Sequence, residues 1–409
     1  MDELPVGRRI AYWRTRRRMS QQALADTLGK SKSWVDKVER GVRRLDKLSN
    51  LQEIAGVLRI DVQFLIGTEP ASSGSGAAEG GPLSDRDLDA LRTAMFRHDA
   101  TMARPDCTRP PRVEAELDRS VEHAWLAYQH ADYRQLLRIL PGLLHDTQLA
   151  RVARPNNART HHLLGQVHQL TSALLGKVGE TGMAWLAADR ALTICQDAGD
   201  ESLAALAASQ FARVLHSLGR HRHSMEVADA IATRLAPPDP PGTPPEHLPG
   251  YGALLLQAAT GAAGCGDQDT VRRFLDRADE AATLMGEDRS QHWATFGPVA
   301  VSLTRITTAL DLDDHAYALA LHRQVVGSVA FQRLPMERRA AHLIDVACRC
   351  VRLGELPEAG RALLLADRTA PSEVRHRPAA RDALRILVRR SARPAPEIAR
   401  LAETLRLPV

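Results

Sequence analysis

The sequence predicts an all-α protein, with a module of five helices at the front and a long solenoid of stacked helix pairs behind it. Three observations predict this. Apolar residues recur at helical spacing, and strand alternation is almost absent from Glu114 onward. The stretch from Gly67 to Pro82, GTEPASSGSGAAEGGP, has no periodicity and reads as a flexible linker between two parts. Turn marks then fall at Ala131-Asp132, Gly179-Glu180, Gly219-Arg220, Gly266-Asp267, the weaker Leu312-Asp313, and Gly354-Glu355. They lie roughly 40 to 48 residues apart, the spacing expected of helix pairs that bury their apolar faces only by stacking.

The front module reads helix by helix. Val6 to Arg17 is a basic amphipathic helix with Val6, Ile10 and Trp13 turned inward. Ser20 caps a helix that begins at Gln21. Ala25 is small enough to let two helices touch, and Gly29 can take the positive φ of a sharp turn. Ser31 caps the next helix, Lys32 to Arg40, in which Val35 and Val38 return one face to the core. The other face carries Lys32, Ser33, Lys37 and Arg40. Gly41 stops it. Leu48 to Leu58 forms a fourth helix with Leu48, Leu51, Ile54, Ala55 and Leu58 on one stripe, and Asp61 opens a short fifth ending at Ile66. A small basic helix presented in this way fits the major groove of DNA.

Charge is distributed accordingly. Residues 1–67 hold 14 Lys and Arg against 8 Asp and Glu, a net +6, whereas the remainder holds 40 against 41. The positive excess that drives sequence-independent attraction to DNA therefore sits on the module alone. Of the 5 lysines, Lys30, Lys32, Lys37 and Lys47 lie in or beside the basic helix, against 49 arginines in the whole chain. The Arg and Ala bias elsewhere looks like coding from a high-GC genome of actinobacterial type.

The segments SQQALADTLG (20–29), SKSWVDKVERG (31–41) and LQEIAGVLRIDVQFLIG (51–67) resemble the Cro/repressor type of helix-turn-helix domain, the XRE family. The resemblance implies a sequence-specific DNA-binding transcription regulator whose partner is double-stranded DNA. It implies that Gln21 holds the backbone at the start of the second helix and that Lys32, Ser33 and Lys37 face base edges. Arg40 shares their outward face, and Arg43, Arg44 and Lys47 match positions that grip phosphates. The chain departs from the family pattern in placing Trp34 and Asp36 beside the reading positions. Asp36 either repels phosphate or accepts from a cytosine amino group.

Beyond the linker, 68–82, a connecting segment spans 83–113. Ser84 caps a helix through about His98, with Leu88, Leu91 and Met95 on one face, suited either to a dimer seam or to packing on its own chain. Residues 100–112 are rich in Pro and Arg. The array from 114 to 409 shows pairs around Trp125 and Tyr133, Leu174 and Ala184, and Phe211 and Val227. Later pairs fall near 251–285, 294–332 and 337–368, with closing helices near 379–391 and 395–405. Pro237 to Pro249 reads as a stiff extended loop, and Gly261-Ala-Ala-Gly264 as a site of close helix contact. The segments AWLAYQHADYRQLLRILPGLL (124–144) and LLGKVGETGMAWLAADRAL (174–192) resemble tetratricopeptide (TPR) repeats, and the layout is similar to that of RRNPP-type regulators, which implies a peptide-sensing array.

Composition excludes several classes. The five cysteines are scattered and form no disulfide or zinc pattern, and no phosphate-cradling Gly loop, GxSxG elbow or HExxH helix is present. The reading is therefore not an enzyme, with no cofactor and no metal. No apolar run approaches a membrane span, and no signal peptide is seen, so a soluble cytoplasmic protein with no membrane partner is expected. Polar residues on the expected inner helices, Asn156, Asn157, Arg159, His162, Gln166, Gln169, Gln210, Arg213 and Gln257, are candidates for binding a peptide or small-molecule effector. A homodimer on a near-palindromic operator follows from the family resemblance. The alternative is a TPR-like protein-interaction scaffold docked on DNA by the module.

Overall fold

A computed structural model of the chain describes residues 6–16, 19–40, 48–58, 83, 85–96, 112–236, 247–285, 289–291, 294–391 and 395–407. The chain divides into two compact units, Met1–Ala77 and Ala78–Val409.

In the first unit, α1 (Val6–Arg16), α2 (Gln21–Thr27), α3 (Lys32–Glu39) and α4 (Leu48–Leu58) surround one small core of Ile10, Trp13, Leu24, Ala25, Val35, Val38, Ile54 and Leu58. Serine caps fix where α2 and α3 begin: Ser20 Oγ accepts from the Ala23 amide at 3.0 Å, and Ser31 Oγ from the Trp34 amide at 3.1 Å. Between these helices Gly29 has φ +60°, a conformation that costs other residues a Cβ clash. The expected helix at 61–66 lies outside the described residues, as do the Gly/Ser linker and most of the Pro-rich loop at 237–249.

The second unit begins with α5 (Asp85–Phe96). Its apolar face, Leu88, Leu91, Ala94 and Met95, is buried in its own chain, against the helix described next as α7. Helix pairs follow: α6 (Glu114–Gln129) and α7 (Tyr133–Ala153), α8 (Ala158–Val178) and α9 (Thr181–Asp197), α10 (Glu201–Ser217) and α11 (His221–Leu235), α12 (Leu248–Gly264) and α13 (Gln268–Met285). After a short hairpin, β1 (Arg289–Gln291) and β2 (Ala294–Phe296), come α14 (Pro298–Asp311), α15 (His315–Val326), α16 (Val329–Arg333), α17 (Met336–Leu353), α18 (Leu356–Thr369), α19 (Pro371–His376), α20 (Pro378–Arg390) and α21 (Pro396–Thr404). The turns at Ala131, Gly179, Gly219, Gly266, Asp313 and Gly354 all have positive φ, so the marks visible in the sequence are the points where the chain reverses between helices.

The leading helices α6, α8, α10, α12, α14, α17 and α20 pack successively on one another, and the second helix of each pair covers them. This is a helical-repeat-like, all-α array. It also curls back on itself, because α17 packs on α6 and α19 on α8. The hairpin, absent from the sequence reading, pairs Arg289 with Phe296. Its strands are too short to show alternation, but it delivers Phe296 into the core, fully buried against Gly252, where a Cβ would lie 2.0 Å from the ring. Gly261 and Gly264 let α12 approach α11: a Cβ on Gly261 would lie 2.8 Å from the Met225 amide.

Candidate nucleic-acid interface and the array interior

The outward face of α3 is built by what happens on its inward face. Val35 and Val38 are 1% and 2% exposed, and Glu39, at the last turn of the same face, is 4% exposed. A buried carboxylate needs partners. Arg14 of α1 donates to it through Nε at 2.5 Å and Nη2 at 3.0 Å, and Gln21 of α2 donates through Nε2 at 2.8 Å. The third Arg14 donor, Nη1, reaches the Met19 carbonyl at 2.7 Å. One carboxylate thus ties α1, α2 and α3 together and fixes the rotation of α3 about its axis. A second constraint acts at the same place: a Cβ on Gly7 would lie 1.9 Å from the Val38 carbonyl oxygen, so α1 sits backbone-to-backbone on the end of α3.

With that face locked, Lys32, Ser33 and Lys37 are exposed together with Arg40, while Trp34 is half-buried. Arg40 caps α3, and its Nη1 lies 3.5 Å from Asp36 Oδ2, an exposed i,i+4 pair that contributes little. Asp36 therefore has a cationic neighbour on its own helix. Arg43, Arg44 and Lys47 lie outside the described residues. Sequence reasoning missed Arg14, Glu39 and Gly7. Glu39 follows Val35 by four residues, so the helical period already put it on the buried stripe, where an acid demands a basic partner.

The candidate effector residues are placed differently from the inner-surface expectation. Gln166, Gln169 and Gln210 are 3%, 0% and 4% exposed. Gln166 accepts from the Trp125 indole at 3.0 Å, Gln169 donates to the Leu203 carbonyl at 3.3 Å, and Gln210 donates to Ser172 Oγ at 3.3 Å. Tight stacking leaves amides on the leading helices as cross-links between neighbours rather than as a lining. Asn157 caps α8 and donates to Glu114, His162 pairs with Asp200 at 2.9 Å, and Arg159 pairs with Asp118 at 2.5 Å. Asn156 is exposed and Gln257 half-buried.

Arg213 alone of the set is both exposed and set among charges of the array interior. Although its side chain reaches solvent, the protein packed around it, then the charge of Arg338, lowers its pKa, while Tyr128, Glu337 and Asp345 oppose that shift. Neither Arg213 nor Arg338 has an ion pair among the described residues. Around them, Lys177 of α8 pairs with Glu337 of α17 and, at 2.9 Å, with Glu373 of α19. Tyr128 Oη donates to Glu337 at 3.3 Å, Tyr133 Oη donates to Glu373, and Arg377 pairs with Asp345 at 2.7 Å. Burial would raise the Glu337 carboxyl, but the Lys177 ammonium holds it below its ordinary value. These bonds, together with an apolar core shared by both sets, join the early helices to the late ones.

No group of three or more His, Cys, Asp or Glu side chains able to hold a metal occurs among the described residues, and no helix among them is long and apolar enough to cross a membrane. Comparison with known families matches residues 10–65 to the helix-turn-helix family. Those residues form a helix-turn-helix domain of the XRE type. Among solved structures, the chain is similar to Bacillus thuringiensis PlcR in complex with the peptide PapR7 and DNA, at 12% identity and a TM-score of 0.28, covering 79% of this chain and 99% of that one. No curated protein matches.

Proposed function

We propose that the chain is a sequence-specific transcription regulator that binds a near-palindromic duplex as a homodimer, one α3 per half-site in successive major grooves. One observation carries this reading: Glu39, gripped by Arg14 and Gln21, holds α3 so that Lys32, Ser33 and Lys37 face solvent on one side. In the complex these three residues meet base edges, and Arg40, Arg43, Arg44 and Lys47 meet phosphates. Gln21 fixes the start of α2 beside them. The TPR-like array provides the dimer contact and responds to a peptide or small-molecule effector in the cytoplasm. Asn156, Arg213 and Gln257 remain effector candidates that are at least partly accessible, as are Asn157, Arg159 and His162, whose side chains pair with Glu114, Asp118 and Asp200. An effector acts only through different affinities for the DNA-competent and DNA-incompetent arrangements.

The test is selection of duplexes from a randomised library with the full-length protein. Enrichment of two inverted half-sites about one helical turn apart supports the reading. Enrichment of a single undivided site removes the homodimer, and no enrichment above background removes sequence-specific recognition.

A further inference from the structure

A cavity of about 260 Å³, whose lining does not include Arg213, lies in the second unit between α5, the end of α8 and the helices α19 and α20. Part of its lining is apolar: Leu83, Leu88, Val178 and Pro378. The rest is basic, with Arg375, His376, Arg381 and an Arg385–Asp382 ion pair whose charges offset one another. Arg375 has no ion pair among the described residues. Among the described residues, Arg381 donates only to backbone carbonyls, that of Arg375 at 3.5 Å and that of Leu405 at 3.3 Å. His376 is 8% exposed, and its Nδ1 is buried without a hydrogen-bond partner among the described residues. Burial, then the charges of Arg134, Arg375 and Arg381, press its pKa down to about 4, against a smaller opposing effect of Asp87, so the ring is neutral at neutral pH.

Two guanidiniums with no ion pair among the described residues, beside an apolar wall, define a ligand by its chemistry. A planar carboxylate matches the guanidinium fork, and an attached hydrocarbon body gains by leaving water against the leucines. The volume falls below the ~300–1,000 Å³ of sites for drug-sized ligands, so the ligand is small. We propose that this cavity binds a small organic carboxylate, its head held by Arg375 and Arg381 and its apolar body covered by Leu83, Leu88, Val178 and Pro378. Such a ligand would bridge α5 and the end of α8 to α19 and α20. None of the effector candidates is among the lining residues, so the proposal does not rest on effector binding at Arg213.

The test is calorimetric titration of the full-length protein with octanoate, octanamide and inorganic phosphate. Saturable octanoate binding is expected, with octanamide and phosphate each weaker by about tenfold or more. The double variant Arg375→Gln/Arg381→Gln should weaken octanoate by about tenfold or more, Val178→Phe should fill the cavity and abolish binding, and Arg213→Gln should change nothing. Should the double arginine variant fail to fold, the ligand series on the unmodified protein and Val178→Phe still decide. Absence of saturable octanoate binding at millimolar concentration, equal affinity for octanamide or phosphate, or indifference to Val178→Phe would overturn the proposal.

Discussion

The two units use the same device at very different range. In the helix-turn-helix module a buried carboxylate, Glu39, is gripped by a cation and a neutral donor 25 and 18 residues away. In the array, Glu373 is gripped by Lys177 and Tyr133, 196 and 240 residues away. The local lock leaves the lysines of α3 facing outward. The long-range lock turns its cation inward, and joins helices that are far apart in the chain. The lesson is that a buried ion pair acts mainly by fixing one arrangement, and the range over which it acts decides whether that is a helix rotation or a closed array.

Lys177→Met is the most severe way to break the array lock, because it leaves Glu337 and Glu373 buried without their ammonium. Its expected cost is about 3–5 kcal/mol in denaturant unfolding of the second unit. A loss below about 1 kcal/mol would show that the closure does not depend on the cation. Glu39→Ala breaks the local lock. Arg14 keeps the Met19 carbonyl, so the expected cost is smaller, about 2–3 kcal/mol, confined to the module. The comparison sharpens if this variant binds duplex weakly while the array melts normally, and fails if both units lose stability together.

The smallest effect per residue comes from buried histidines of the array. Burial, the leading cause in each, presses His168 and His342 from the ordinary 6.5 down to about 3. Between those values the unfolded chain binds protons that the folded chain refuses. The stabilising contribution is therefore whole above about pH 6.5 and is lost as the pH falls toward 3. At pH 5 each residue should have cost on the order of 2 kcal/mol, read as a falling melting temperature of the array between neutral pH and pH 5. A flat profile over that range would contradict the burial argument.

Much of this was legible in the sequence for physical reasons. Serine caps, Gly29 and the Val35/Val38 stripe are local signals, and local signals fix helix ends and faces. The reversal points at Gly179, Gly219, Gly266 and Gly354 were equally visible, since few other residues take positive φ without strain. What remained hidden is long-range. Nothing near Lys177 announces Glu337 or Glu373, and nothing near Gly252 announces Phe296. The glutamines illustrate the same limit: periodicity put Gln166, Gln169 and Gln210 on the leading helices, but only the packing of neighbours decides that their amides cross-link helices. Glu39 lay between these cases, on the buried stripe by spacing, with its partners on two other helices.

The central claim is that the outward face of α3 reads DNA. Its most direct test is the affinity of the protein and of Lys32→Ala/Lys37→Ala for a selected duplex, at one fixed salt concentration, alongside the melting curve of each. The account predicts specific binding weaker on the order of a hundredfold with the melting curve unchanged. Unchanged specific affinity in the double variant would contradict it.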